Sequence, residues 1–194
     1  MPNITKNFDK FLAKDRNEWR NWLKDNYNTS KGVWLVYYKK NSQRSSVTYE
    51  EAVEEALCFG WIDSTVNSID EERYMQLYTP RKINSIWSKL NKERVENLIR
   101  QGLMTDAGFS KIDAAKKNGS WDLLSSIDDL IIPIDLEKAF SQNETAYKNF
   151  NEFKNPIKKA ILYWVISAKR PETRKKRIEK IIATASENTN PFNL

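Results

Sequence analysis

Residues 48–69 read TYEEAVEEALCFGWIDSTVNSI, and within them the apolar period changes from 3.6 to 2 at Gly60. Thr48 is placed to cap a helix, and Glu51 three residues later completes a capping box. Tyr49, Ala52, Val53, Ala56, Leu57 and Gly60 then recur at helical spacing as one inner stripe. Gly60 ends the helix, and WIDSTVNSI alternates Ile62 and Val66 against Trp61, Asp63, Thr65 and Asn67, the period of a strand. A helix therefore feeds directly into a sheet.

Working outward, RYMQLYT (73–79) alternates Met75 and Leu77 against Tyr74, Gln76 and Tyr78, and Asp70, Glu71 and Glu72 connect it to the preceding strand as a hairpin. GVWLVYYKK (32–40) is dense in aromatic and β-branched residues and supplies a third strand. With the aliphatic faces packed on helices, the sheet keeps a face of acid, amide, hydroxyl and aromatic rings, either solvated or the wall of a pocket. Trp19, Trp22 and Leu23 mark a first helix from about Asp15 to Asn26. A further helix starts at Ser85 or Ser88, turns Val95, Leu98 and Ile99 inward, and stops at Gly102; the next runs from Thr105 to Gly119. Residues 120–133 read as irregular linker. Short helices follow around 136–140 and 144–153, Pro156 opens a longer one, and Pro171 opens the last. The fold class is α+β and mostly helical, with a small antiparallel sheet in the first half and a helical C-terminal half. Its regions are 1–120 and 121–194, as one domain or two.

The 194 residues contain no histidine, which excludes Ser-His-Asp and Cys-His catalysis and the usual Cys/His zinc sites. Seven Trp and eight Tyr argue for a packed core over disorder. The single cysteine, Cys58, falls on the helix side opposite the inner stripe, near Glu51, Glu54 and Glu55, where carboxylates would raise its pKa and disfavour a reactive thiolate. Neither a leader segment nor an apolar run of about 20 residues is evident, so the expectation is a cytoplasmic protein with no membrane span. The net charge of +6 is unevenly spread. Ten bases against two acids fall between Lys154 and Lys180, whereas Glu50 to Glu72 holds eight acids and no base.

Three groups of residues have the chemistry of a site. In YTPRKINSIWSKLN (78–91), Arg81 and Lys82 precede a helix whose first turn offers free N–H groups and the hydroxyls of Ser85 and Ser88, with Asn91 one turn on. Guanidinium, ammonium and hydroxyl donors at a helix start suit a phosphate or carboxylate. The competing reading is structural: a serine caps the helix, Trp87 packs in the core and Arg81 pairs with Asp63. In AKRPETRKKRIEKI (168–181), two helices meet at Lys169-Arg170-Pro171, and Arg174, Lys175, Arg177 and Lys180 suggest a helix-turn-helix reader of nucleic acid, against the commoner solvated basic helix. Among carboxylates, Glu50 with Glu54 and Glu51 with Glu55 look like surface pairs, and Asp63 is the one acid expected to be partly buried.

ALCFGWIDS (56–64), Asp70, YTPRK (78–82), SIWSKLN (85–91), GLMTDAG (102–108) and AKRPETRKKRIEKI follow one another as in the bacteriocin-protection family, also called YdeI/OmpD-associated, which this chain resembles from about Val33 to Ile182. Ser64 stands where the family pattern has a glycine, and Tyr78 where it has Phe. The resemblance implies a bacterial protein linked to tolerance of bacteriocins or envelope-directed stress, with no particular reaction and no cofactor. If the motif positions form one site, it comprises Trp61, Asp63, Thr79, Arg81, Ser85, Trp87, Ser88 and Asn91, approached by Lys169 and Arg170. The expected function is binding of a small anionic ligand or an acidic protein partner rather than catalysis, with neither metal nor cofactor. Nucleic-acid binding through the basic helix pair is the alternative, and a histidine-free enzyme using Asp63 and Arg81 a third.

Overall fold

The computed structural model describes residues 8–192. The chain divides into two compact units, Met1–Trp121 and Asp122–Leu194. The first holds β1 (Lys10–Leu12), α1 (Arg16–Asn26), β2 (Val33–Tyr38), α2 (Tyr49–Cys58), β3 (Trp61–Ser68), β4 (Arg73–Pro80), α3 (Lys89–Arg100) and α4 (Asp106–Lys117). The second holds α5 (Leu123–Asp128), α6 (Ile134–Phe140), α7 (Glu144–Glu152), α8 (Asn155–Ile166) and α9 (Pro171–Ser186).

The fold is α+β with its sheet in the first half and helices in the second, but the sheet is mixed rather than purely antiparallel. Its order is β1-β2-β4-β3, in which β4 runs antiparallel to both neighbours and β1 is parallel to β2. The parallel pair follows from the chain's path, since α1 carries it back across the sheet between β1 and β2 and so returns it in the same direction. At three residues β1 is too short for its alternation to stand out in the sequence.

Thr48 and Glu51 form the capping box, and Gly60 stops α2 in the left-handed region at φ +72°. A side chain at Gly60 would meet Lys111 Cγ at 2.7 Å and Ala107 O at 2.8 Å, so the turn needs glycine for space as well as for its torsion. Thr105 donates from its backbone N–H (3.2 Å) and its hydroxyl (2.6 Å) to Cys58 O, which caps the helix end from outside.

The sheet face that packs on the helices is the polar aromatic one, the reverse of the expected packing. Tyr37, Tyr78, Val33 and Leu35 share a core with Trp19, Leu23, Ala52, Val53, Ala56 and Trp61, and Gln76 is buried on the same face. Aromatic bulk fills this interior, while its polar ends bond one another. The aliphatic face with Trp34, Val36 and Leu77 is buried as well. A bulge between Asp63 and Val66 puts one extra residue in β3, so Val66 opposes Gln76 on Asp63's face instead of alternating with it. Ser88 caps α3, whose Val95 and Leu98 are buried, but Ile99 is exposed.

The second unit packs Ile127, Leu136, Phe140, Ala146, Phe150, Ile161, Leu162, Val165, Ile181 and Ala185 into a core with no charged member. The stretch expected to be irregular linker contains α5, which Leu130 ends at φ 57°. Pro156 and Pro171 sit in the first turns of α8 and α9, where a missing N–H costs nothing.

Candidate functional site

The chain leaves β4 at Pro80, and the Arg81 backbone N–H donates to Gly60 O at 2.9 Å, joining the hairpin's exit to the end of α2. From there the Arg81 side chain turns inward and is 3% exposed. Its guanidinium carbon lies 3.7 Å from the centroid of the buried Trp87 ring, and Nη2 donates to Ile86 O at 2.6 Å. Arg81 Nε and Nη1 and Trp87 Nε1 are buried with no hydrogen-bond acceptor among the described residues. Three buried donors of one cation–π stack are thus left without protein acceptors, a costly arrangement in a folded interior.

Burial pushes the Arg81 guanidinium down to about 10, with the Asp63 charge pulling the other way. Asp63 is close enough to act on Arg81 electrostatically, but the two form no ion pair. Instead Asp63 Oδ2 accepts from Tyr49 Oη (3.1 Å) and Gln76 Nε2 (2.7 Å). Beside them the hydroxyls of Tyr37 and Tyr78 bond each other at 2.8 Å. Burial first, then neighbouring charge, holds Tyr49 above the ordinary phenol range, and burial dominates the larger rises at Tyr37 and Tyr78. These tyrosines are therefore neutral hydrogen-bonding groups near pH 7.

The structure brings Asp63, Arg81 and Trp87 together and adds Tyr49, Gln76, Tyr37 and Tyr78. Their signal in the sequence was the polar face of the hairpin, and Tyr49 stood in the α2 stripe. The other candidates lie apart in role. Trp61 is buried, donates to Tyr27 O at 3.0 Å and meets Trp22 edge-on. Thr79 pairs with Ile62, one position out of register with Asp63, and so stands on the opposite sheet face. Ser88 Oγ caps α3 by accepting from Asn91 N at 3.3 Å, and Asn91 Oδ1 accepts from Arg94, whose guanidinium lies 5.9 Å from the Tyr49 ring. Ser85 N–H closes a turn onto Lys82 O, and Lys82 is exposed. Lys169 and Arg170 are exposed in the second unit, at the junction of α8 and α9.

Two acids differ from their surface reading. Glu55 is 1% exposed and accepts from Arg16 Nε (2.6 Å) and Arg20 Nη1 (2.5 Å), while Arg16 Nη1 also reaches Glu54 at 2.9 Å. Cys58, beside it, is fully buried; its thiol is pushed up to about 11, by burial first and the Glu55 charge second. Helical spacing in the sequence sets Cys58 opposite the inner stripe among exposed carboxylates; it lies instead in the core with Ala52, Val53, Ala56 and Leu57, and desolvation, more than the Glu55 charge, raises its thiol.

In the second unit the basic residues of α9 reach back to α8. Arg174 binds Asp135 through Nε (2.5 Å) and Nη2 (2.8 Å) and Val165 O through Nη1 (3.1 Å). Arg177 Nη1 donates to Trp164 O (2.5 Å) and Ser167 Oγ (3.1 Å), and its guanidinium lies over the Trp164 ring. These two arginines cap the C-terminal carbonyls of α8. Lys180 also lies over Trp164, and Lys175 stands 3.9 Å from Glu179. Among the described residues no group of His, Cys, Asp and Glu is arranged to hold a metal, and no helix is long and apolar enough to cross a membrane.

A family model described as Domain of unknown function (DUF8412) matches residues 11–111, more than half of the chain. The chain belongs to that family. The DUF8412 match takes in the sheet, Gly60, Asp63, Arg81 and Trp87, the whole of the cluster built above. A second model, described as Bacteriocin-protection, YdeI or OmpD-Associated, matches residues 129–188, from just after α5 through α9, and supports the resemblance over that span; of the motifs that carried it AKRPETRKKRIEKI falls there, whereas ALCFGWIDS, YTPRK, SIWSKLN and GLMTDAG fall within the DUF8412 match. No curated protein and no solved structure matches the chain.

Proposed function

We propose that this YdeI/OmpD-like protein binds a small anion, of carboxylate or phosphate size, at Arg81, and serves bacteriocin tolerance in the bacterial cytoplasm by binding rather than catalysis. The observation that carries the reading is the buried guanidinium stacked on Trp87 with Nε and Nη1 unmatched by acceptors, beside the equally unmatched Trp87 Nε1. A bound anion would accept from these donors and offset the charge burial that holds Arg81 down. Asp63 does not compete for the guanidinium, because Tyr49 and Gln76 already hold its Oδ2. The link to bacteriocin tolerance rests on the family description matched by the second unit. An acidic side chain of a protein partner would satisfy the same donors as a free anion.

The test is calorimetric titration of the whole protein with sodium phosphate and sodium acetate, for the wild type and for Arg81→Ala and Arg81→Met. Binding by the wild type that both variants lose supports the reading. Equal behaviour of all three proteins, or no binding of either anion, overturns it. Arg174 and Arg177 are occupied as helix caps, so the geometry favours this reading over nucleic-acid binding by α9.

A further inference from the structure

Between β2 and α2, the loop of residues 39–48 roofs a cleft of about 410 Å³ that is separate from the Arg81 stack. One wall is made of tyrosine. The Tyr37 and Tyr74 rings lie parallel, 4.9 Å apart at 9°, and Tyr49 joins them in the lining. Bonds on the far side fix two of these rings, since Tyr37 Oη is held by Tyr78 and Tyr49 Oη by Asp63. Rigid aromatic walls of this kind suit a flat ring, because little conformational freedom is lost when it stacks.

The lining carries three bases, Lys39, Lys40 and Arg44, against one acid, Glu50. Lys39 is committed, donating to Asp70 O at 2.7 Å. Lys40 makes no hydrogen bond or ion pair among the described residues. Arg44 lies 5.8 Å from the Tyr38 ring, donates through Nη1 to Tyr38 Oη at 3.4 Å and feels the Glu72 charge, but has no carboxylate within ion-pair distance among the described residues. The N-terminus of α2 is not the source of attraction, because the Glu51 carboxylate already fills its capping box. The lining itself carries a net charge of +2, of the sign a phosphomonoester needs, although Arg44 also borders a hollow lined by Asp70, Glu71 and Glu72.

We propose that this cleft binds an aromatic ring bearing a phosphate group, the ring against the partly exposed Tyr74 and Tyr49, with the buried Tyr37 stacked on Tyr74 as their support, and the phosphate between Lys40 and Arg44. The site stands independently of anion binding at Arg81. Titration calorimetry on the full chain at low salt, with phenyl phosphate, phenol and inorganic phosphate as probes, tests it. Phenyl phosphate is expected to bind about tenfold or more tightly than either fragment, since both the stack and the charge pair contribute. The double substitution Lys40→Ala and Arg44→Ala, at exposed positions, is expected to weaken it about tenfold, and Arg81→Met to remove only the phosphate binding assigned above to Arg81, leaving the preference for phenyl phosphate over inorganic phosphate in place. Equal affinity for phenyl phosphate and inorganic phosphate overturns the proposal, as does no binding. Affinity lost in Arg81→Met but kept in the double variant also overturns it, and assigns the ligand to the Arg81 stack.

Discussion

The two units bury their chains by different means. The second excludes charge from its core, keeps its cations at the surface, and uses Arg174 and Arg177 to close a helix end. The first buries Glu55, Gln76, Arg81 and Ser120. Within that unit the charges differ again: Glu55 is neutralised by two arginines, of which Arg16 still leaves Nη2 without an acceptor, whereas Arg81 has no carboxylate partner at all and leaves Nε and Nη1 unmatched. A compensated buried charge can be explained by architecture alone, as Glu55 is by tying α1 to α2. An uncompensated one destabilises the fold and calls for something that architecture does not supply.

The comparison breaks most visibly at the second core. Phe150→Ala, at a site 2% exposed between Phe140 and Phe153, is expected to cost about 3–5 kcal/mol. Six of the seven tryptophans precede Asp122 and only Trp164 follows it. Chemical denaturation monitored by far-UV circular dichroism should therefore register this loss more strongly than tryptophan emission does. A cost below about 1 kcal/mol would mean that the second unit is not held by this core.

The next effect separates the two buried charges. Glu55→Gln is expected to cost about 1–3 kcal/mol in a urea melt, because Arg16 and Arg20 lose a charged acceptor that both of them contact. Arg81→Met is expected to fall within about 1 kcal/mol of the wild type or above it, since it removes unmatched donors and keeps an apolar stem on Trp87. The same variant should lose the rise in melting temperature that phosphate or acetate gives the wild type. If Arg81→Met costs as much as Glu55→Gln, the two arrangements are alike and the functional reading of Arg81 loses its basis.

Much of this was legible in the sequence, because the signals were local. The Thr48–Glu51 box, the Gly60 stop and the hairpin of β3 and β4 each depend on spacing within a few residues. The parallel pairing of β1 was hidden because three residues cannot show a period, and the bulge because one inserted residue silently inverts the alternation beyond it. The polar face of the hairpin was read in its composition but not in its burial. Glu55 was missed for a related reason: its partners Arg16 and Arg20 lie more than 30 positions away, and only tertiary packing reveals that they neutralise it. Arg81 and Asp63 stood out as residue types at a strand exit and a strand start. That they would not pair was beyond reach, since it depends on Tyr49 and Gln76 holding the acid.

The smallest expected effect reads the same interior through alkaline pH. Tyr37 and Tyr78 are held above the ordinary phenol value of about 10, so above that pH the folded chain keeps protons that the unfolded chain has released, and stability falls. Cys58, pushed up to about 11, contributes in the same direction from about pH 9. Arg81 has the opposite sign: held down at about 10, it releases its proton in the folded state before the unfolded chain does, and this adds stability between about pH 10 and 12.5. Urea midpoints measured from about pH 9 to 11 should therefore decline, with one interior group contributing at most about 1.4 kcal/mol per pH unit. Arg81→Met should steepen the decline by removing the opposing group. Tyr37→Phe should flatten it, at a cost near pH 7 of about 1 kcal/mol for leaving Tyr78 Oη without its partner. Parallel curves for the three proteins would mean that these groups titrate as if exposed, and the first unit's interior would then differ from the second's in composition but not in electrostatics.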